Sequence, residues 1–213
     1  MRLKKWMLLG LLLCSSAWAQ VASLSKTSLN FGNVPLAATS TQSVVLTNTG
    51  SATLTISSMV FTGLYAPAFS QTNNCGSSVG AGLNCTINIT FTPLSASAGT
   101  ASLTISDNAP GTPHHVAVAG TGVHSVMLAW TASPTSGVTG YILYRGTSPN
   151  GEGSTPLTST IPGTSYTDLT VQSNTTYYYV VVAVGADGST KSDNSNEASV
   201  KTPRRRIVVV TSS

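Results

Sequence analysis

Apolar and polar residues alternate in short runs along most of this chain. Cys85, Ile87, Ile89 and Phe91 share one face of such a run, and Thr86, Asn88 and Thr90 share the other. Leu29 with Phe31, Leu54 with Ile56, and Leu103 with Ile105 keep the same period. A period of two belongs to strands with one buried and one solvated face, as in antiparallel sandwiches. Turn residues separate the runs: Asn48-Thr-Gly50, Gly80-Ala-Gly82, Thr92-Pro93 and Ala109-Pro110-Gly111. No stretch keeps helical spacing over three turns. Strands and turns recurring every ~8–12 residues predict an all-β sandwich.

A second set of runs begins near His124. Val126, Leu128 and Trp130 make one apolar face, Gly140–Arg145 a second strand, and Tyr177, Tyr179, Val181 and Ala183 a third buried face. Six of the seven tyrosines lie here with Trp130, whereas the first set holds Phe31, Phe61, Phe69, Phe91 and Tyr65. This change of aromatic type predicts two separate cores. Gly120-Thr-Gly122 leads almost directly into the second set, which predicts a rather stiff rod with limited hinge freedom at the glycines.

The two ends depart from the pattern. Arg2, Lys4 and Lys5 precede the apolar run Met7–Cys14, and Ala17-Trp-Ala19 stands before Gln20. A basic head, a short apolar core and a small-residue site read as a secretory signal peptide, residues 1–19, cut between Ala19 and Gln20. Its core is far shorter than the ~20 residues a membrane span needs, so no transmembrane segment is expected after cleavage. Leu13 stands before Cys14 where lipid attachment wants a small residue. At the other end, Arg204-Arg-Arg206 precedes Ile207-Val-Val-Val210. Four apolar residues cannot span a bilayer. The arginines resemble gatekeepers beside a β-prone run, and residues 204–213 read as a frayed tail, with an added edge strand or the stub of a truncated gene as alternatives.

Removing the leader takes three of the ten basic residues, leaving seven against six acidic ones. From Gln20 to Val123 the only charged residues are Lys26 and Asp107. No basic footprint exists for nucleic acid. Two cysteines remain, Cys75 and Cys85. An even pair in an exported chain reads as a disulfide, closing a glycine-rich loop for about 2–3 kcal/mol. Two thiols without further ligands do not make a zinc site.

Several motifs in order carry a resemblance for the first block. They are Ser28-Leu-Asn-Phe-Gly-Asn-Val34, Leu46-Thr-Asn-Thr-Gly50, Leu54-Thr-Ile56, the Cys75 and Cys85 pair, Phe91-Thr-Pro93, Leu103–Pro110 and Gly120-Thr-Gly122. Residues 20–123 resemble the ASH-type (abnormal spindle/hydin, choice-of-anchor D) immunoglobulin-like domains. The resemblance implies a seven- or eight-stranded sandwich without a shared active site. Residues 124–203 resemble a fibronectin type III domain through Leu128-Ala-Trp130, Gly140–Arg145, Tyr166–Leu169, Thr176–Ala183 and Ser195-Asn-Glu197. That resemblance makes Trp130 the core tryptophan and places Tyr177 at the tyrosine corner. A first strand is missing before Ser125, to be supplied by the junction or by tight fusion of the domains. The expected architecture is thus two tandem immunoglobulin-like β-sandwiches.

Candidate chemistry is thin. His114 and His115 are adjacent, so on a strand they face opposite sides, and His124 stands apart; exposed polar roles fit better than metal ligation. Glu152, Asp168, Asp187 and Asp193 fall in loops and turns, not as a glycosidase pair, and they offer few oxygens for calcium. No G-x-S-x-G occurs. The sequons at Asn84, Asn88 and Asn174 carry no weight in the bacterial setting the resemblance suggests. The chain is expected to be secreted, non-enzymatic and free of cofactors. It would serve as an adhesion, scaffold or surface-binding module whose partner is a protein or polysaccharide at the cell surface. The alternative is a carbohydrate-binding accessory acting in trans with polysaccharide-degrading enzymes.

Overall fold

The computed structural model describes residues 19–36 and 38–203. The expected leader up to Trp18 and the tail from Arg204 lie outside the described residues. Nine strands come first: β1 (Ala22–Leu24), β2 (Ser28–Pro35), β3 (Ser40–Asn48), β4 (Leu54–Thr62), β5 (Phe69–Asn73), β6 (Ser78–Val79), β7 (Asn84–Phe91), β8 (Ala98–Asp107) and β9 (His114–Val123). They form two sheets, ordered β1-β3-β7-β5 and β2-β9-β8-β4-β6. Short β1 and β6 carry the count past the seven or eight expected. A single turn of 3-10 helix, Ala66–Ala68, is the sole helical element among the described residues.

The core lies between the two sheets because alternate residues of each strand point inward. In β7, Ile87 and Ile89 are fully buried while Thr86, Asn88 and Thr90 stay half-exposed. Phe69 stacks on Phe91 at 4.9 Å, and Phe31 touches both rings within 5.9 Å. Each such side chain removed from water contributes about 1.5–3 kcal/mol. One polar residue sits among them. Asn48 is fully buried, donates to the carbonyls of Ala52 (2.8 Å) and Val79 (3.0 Å), and accepts the N–H of Gly50 (3.0 Å). Every bond it needs is made, so its burial is tolerated and it ties the β3–β4 turn to β6.

Five strands follow: β10 (Val126–Ala129), β11 (Val138–Gly146), β12 (Ser165–Asp168), β13 (Thr176–Gly185) and β14 (Ala198–Lys201). They form one sheet of β10-β12 and another of β11-β13-β14, all antiparallel. Strand β13 is buried on both faces, since Val180, Val182 and Val184 are as hidden as Tyr177 and Tyr179. Its run Val180-Val-Val-Ala-Val184 is continuous, the pattern of a strand covered on both sides.

Three expectations need correction. Trp130 is not a fully buried core residue: it lies just past β10, half-exposed, packed edge-on against Tyr141 at 5.6 Å. The missing first strand is not supplied by the junction, because β9 belongs wholly to the earlier sheet and β10 has β12 as its one described neighbour. The glycines of the junction are not hinges. A Cβ on Gly120 would sit 2.5 Å from the Phe91 ring, and one on Gly122 would sit 2.1 Å from the Ser95 carbonyl oxygen. They are glycines so that β9 can press against the core and the loop after β7. Gly120→Ala is therefore expected to destabilise the first sandwich by about 1–3 kcal/mol through overpacking. Urea unfolding checks this; an unchanged midpoint would contradict it.

Candidate functional site

The densest polar cluster joins the two sheets of the second sandwich. Asp168, at the end of β12, is fully buried. Its carboxylate accepts from Arg145 Nη1 of β11 (2.6 Å), from the N–H and hydroxyl of Thr170 (2.8 and 2.7 Å) and from the Tyr179 hydroxyl of β13 (3.0 Å). Arg145 also donates to the Thr170 hydroxyl (2.7 Å) and lies 4.9 Å over the Tyr177 ring. The Tyr177 hydroxyl accepts the Gln172 N–H (2.9 Å), which pins the turn before β13. Burial pushes the Asp168 carboxyl up, but the hydrogen bonds from Thr170, Arg145 and Tyr179 outweigh it and hold it below the usual carboxylate range. Burial, then Asp168, raise the Tyr179 hydroxyl far above the usual tyrosine value. A charge matched this fully is a structural clamp, not a free acid or base. The expectation that Asp168 is a loop residue is corrected: its strand position aims it inward, and Arg145, some twenty residues upstream, meets it only through sheet packing.

The remaining candidates stay apart. Asp187 accepts four hydrogen bonds from Ser189 and Thr190 within one turn, and those bonds, Thr190 first, depress its carboxyl. Glu152 is buried, with Oε1 unpaired, and burial followed by its contact with Glu197 raises it. Glu197, not singled out as an acid in the sequence, also accepts the Asn150 N–H (2.6 Å); nothing in spacing announces that pairing. His114 Nε2 lies 3.4 Å from Asp107 Oδ2, while His115 on the opposite face approaches the Thr104 hydroxyl at 3.4 Å. His124 is buried elsewhere. Among the described residues, no three of His, Cys, Asp and Glu come close enough to hold a metal. Cys75 and Cys85 are disulfide-bonded, with Cα atoms 4.9 Å apart. The Ala19 carbonyl accepts the Ser51 N–H (3.0 Å), so the chain is already tied to the β3–β4 turn at the expected cleavage point. No helix of the described residues is long and apolar enough to cross a membrane.

Several concave places of about 210 to 510 Å³ open among the described residues. A cleft of about 210 Å³ opens at one end of the first sandwich between the turn after β4 and the loop after β7. Tyr65, Pro67 and Pro93 line it, and Leu64 and Leu94 stand at its rim, 89% and 60% exposed. A groove of about 480 Å³ runs along the second sandwich beside Leu128, Trp130 and Tyr141.

The clamp sets a pH dependence. A carboxyl depressed in the folded state stabilises fully above its unfolded value near ~3.9 and loses that contribution as pH falls through the depressed value. Asp168→Asn is expected to lower stability at pH 7 by about 3 kcal/mol and to flatten the loss of stability that sets in below about pH 3.9. Urea unfolding at pH 7 and in acid reads both; an unaltered acid limb would contradict the assignment. Tyr177→Phe, which strands the Gln172 N–H, is expected to lower stability by about 1 kcal/mol in the same assay.

Residues 21–123 match the family model of Cep192 domain 4. No curated protein matches the chain. Among solved structures, the ASH/PapD-like domain 7 of human CEP192 is 17% identical, with 58% of this chain and 95% of that one covered and a TM-score of 0.39. An Fn3-like protein from Clostridium thermocellum is 38% identical over 38% of this chain and 78% of its own, with a TM-score of 0.33. A protein of unknown function from Porphyromonas gingivalis W83 is 18% identical with a TM-score of 0.43 over 53% of this chain; this chain spans 51% of its length. Residues 21–123 thus form an ASH-like domain, matched by the family model of Cep192 domain 4, and a second β-sandwich follows it.

Proposed function

We propose that this protein is a non-enzymatic, exported binding or scaffold module with two units, residues 20–123 and 124–203. It engages a protein or polysaccharide at the cell surface. Both domain types are non-catalytic. The observation that carries the reading is the Leu64–Leu94 rim. Two exposed leucines stand around a cleft on a domain whose sole charges between Gln20 and Val123 are Lys26 and the buried Asp107. Charge repels few partners there, and apolar side chains displayed around a cleft mark a binding surface. The Cys75–Cys85 disulfide supports export, because such bonds persist in oxidising compartments.

The test is retention of the purified protein on cell-envelope fractions and on insoluble polysaccharides. Leu64→Asp combined with Leu94→Asp is expected to weaken envelope retention about tenfold or more, as loss of a binding hot spot does. The unfolding midpoint should hold, because both side chains are already in water. Retention unaffected by the double substitution would remove the cleft from the reading. Retention on a polysaccharide, released by soluble sugar, would favour the carbohydrate-accessory role.

A further inference from the structure

Two glutamates far apart in the chain meet in the second sandwich. Glu152 lies in the loop between β11 and β12, and Glu197 is the residue before β14. Glu152 is 8% exposed, and its Oε1 is buried without a hydrogen-bond partner. The Glu197 carboxyl lies within hydrogen-bonding reach of it, and Glu197 Oε2 accepts the Asn150 N–H (2.6 Å). The loop that carries Glu152 is tightly folded. Asn150 holds a φ of 52°, and the Gly151 N–H donates to the Ser148 carbonyl (3.0 Å). A Cβ on Gly146 would sit 2.4 Å from the Gly151 carbonyl oxygen and 2.7 Å from the Glu152 nitrogen. The loop is therefore pressed against the end of β11, and Glu152 is held where it stands.

Two ionised carboxylates in contact repel each other, and burial penalises their charge again. The pair needs a counterion. Lys191 and Tyr144 line the neighbouring hollow with Gly153 and Ser154, Asp193 lies on the groove side, and Arg145 is turned to Asp168. Among the described residues, Glu197 is the one charged group that acts on the Glu152 carboxyl. Oε1 of Glu152 is closed to water. A proton needs no room of its own there, whereas a hydrated cation does.

We propose that Glu152 and Glu197 share one proton and form a latch, closed in acid and released towards neutral pH, that fastens the segment 192–197 along the Trp130 groove. The inference does not depend on the proposed function. The segment is otherwise lightly held. Strand β14 reaches no further along β13 than Tyr179. Ahead of it, the Ser192 and Ser195 N–H groups donate to the carbonyls of Ala183 (3.0 Å) and Val181 (2.9 Å). The hydroxyls of Ser192 and Ser195 accept the N–H groups of Ala183 (2.9 Å) and Val181 (3.0 Å), where a paired strand would present carbonyls. Ser192, Asp193, Ser195 and Asn196 line the groove, and Glu197 ends the run.

The sign of the effect is opposite to that of the Asp168 clamp. Burial first, and Glu197 with it, raise the Glu152 carboxyl against a backbone hydrogen bond that lowers it. A raised carboxyl stabilises fully below its unfolded value near ~4.3 and loses that contribution as pH rises through the folded value. Glu152→Gln keeps a donor towards Glu197 without a charge. It is expected to raise the urea midpoint at about pH 7 and to leave it unaltered at about pH 4. Hydrogen exchange reads the segment itself. The protection factors of the Ser192 and Ser195 N–H groups should fall severalfold between those two pH values in the unchanged chain and stay constant in Glu152→Gln. NMR titration of the glutamate carboxyls needs no variant, so it decides the matter even if Glu152→Gln folds poorly. Of the coupled pair, one step should lie above the ordinary carboxyl range. Both glutamates titrating near ~4.3 would overturn the proposal, as would a pH 7 midpoint that Glu152→Gln lowers. A midpoint raised by calcium at pH 7 in the unchanged chain, but not in Glu152→Gln, would overturn it in favour of a cation.

Discussion

A strand that alternates apolar and polar residues is stable only when something covers its apolar face, and this constraint organises the whole molecule. In the first sandwich it is met completely. The inward residues of β2, β3, β7, β8 and β9 meet across the two sheets, and Val44, Leu46, Ile87, Ile89, Leu103, Ile105 and Val116 lose all contact with water. Once that core is closed, little else is needed. Asn48 fastens a turn, the Cys75–Cys85 bond fastens a loop, and two glycines let β9 lie close against Phe91 and the loop after β7. The surface can then do almost without charge.

The second sandwich meets the same constraint with fewer strands. Among the described residues its sheet of β10 and β12 has two members, fewer than the facing sheet of β11, β13 and β14. Polar bonding takes up part of the deficit. The carboxylate of Asp168 draws Arg145, Thr170 and Tyr179 together from three strands and the loop after β12. A clamp of this kind is intolerant of losing one member, because the partner is left charged and dry. It holds one end of the sandwich, and its Tyr179 also lines the groove beside Trp130.

The two domains therefore differ in where recognition can reside. The first offers a closed body with apolar side chains displayed at one rim. The second offers backbone groups and a groove of mixed lining, with Trp130 and Tyr141 beside Ser192 and Asp193. Side chains decide what fits a rim, whereas a strand edge accepts main chain of almost any sequence and reads it through alternate pockets.

Much of this was legible along the chain. The alternation in Asn84–Phe91 determined which side chains are buried, because a period of two leaves no freedom once one face is inside. The motifs from Ser28 to Gly122 marked the ASH-like unit, and the tyrosine-rich segment marked the second sandwich. What the sequence left open were matters of distance. Trp130 alternates correctly with Val126 and Leu128, yet it is half-exposed, because burial depends on a strand across the gap and not on its own period. Glycines 120 and 122 look like hinges until Phe91 and Ser95 are seen against them. Asp168 reads as a turn acid until Arg145 and Tyr179 close on it. Local pattern determines which face of a strand turns inward, since that follows from backbone geometry alone. Only the tertiary structure decides what that face meets, since that depends on residues far away in the chain.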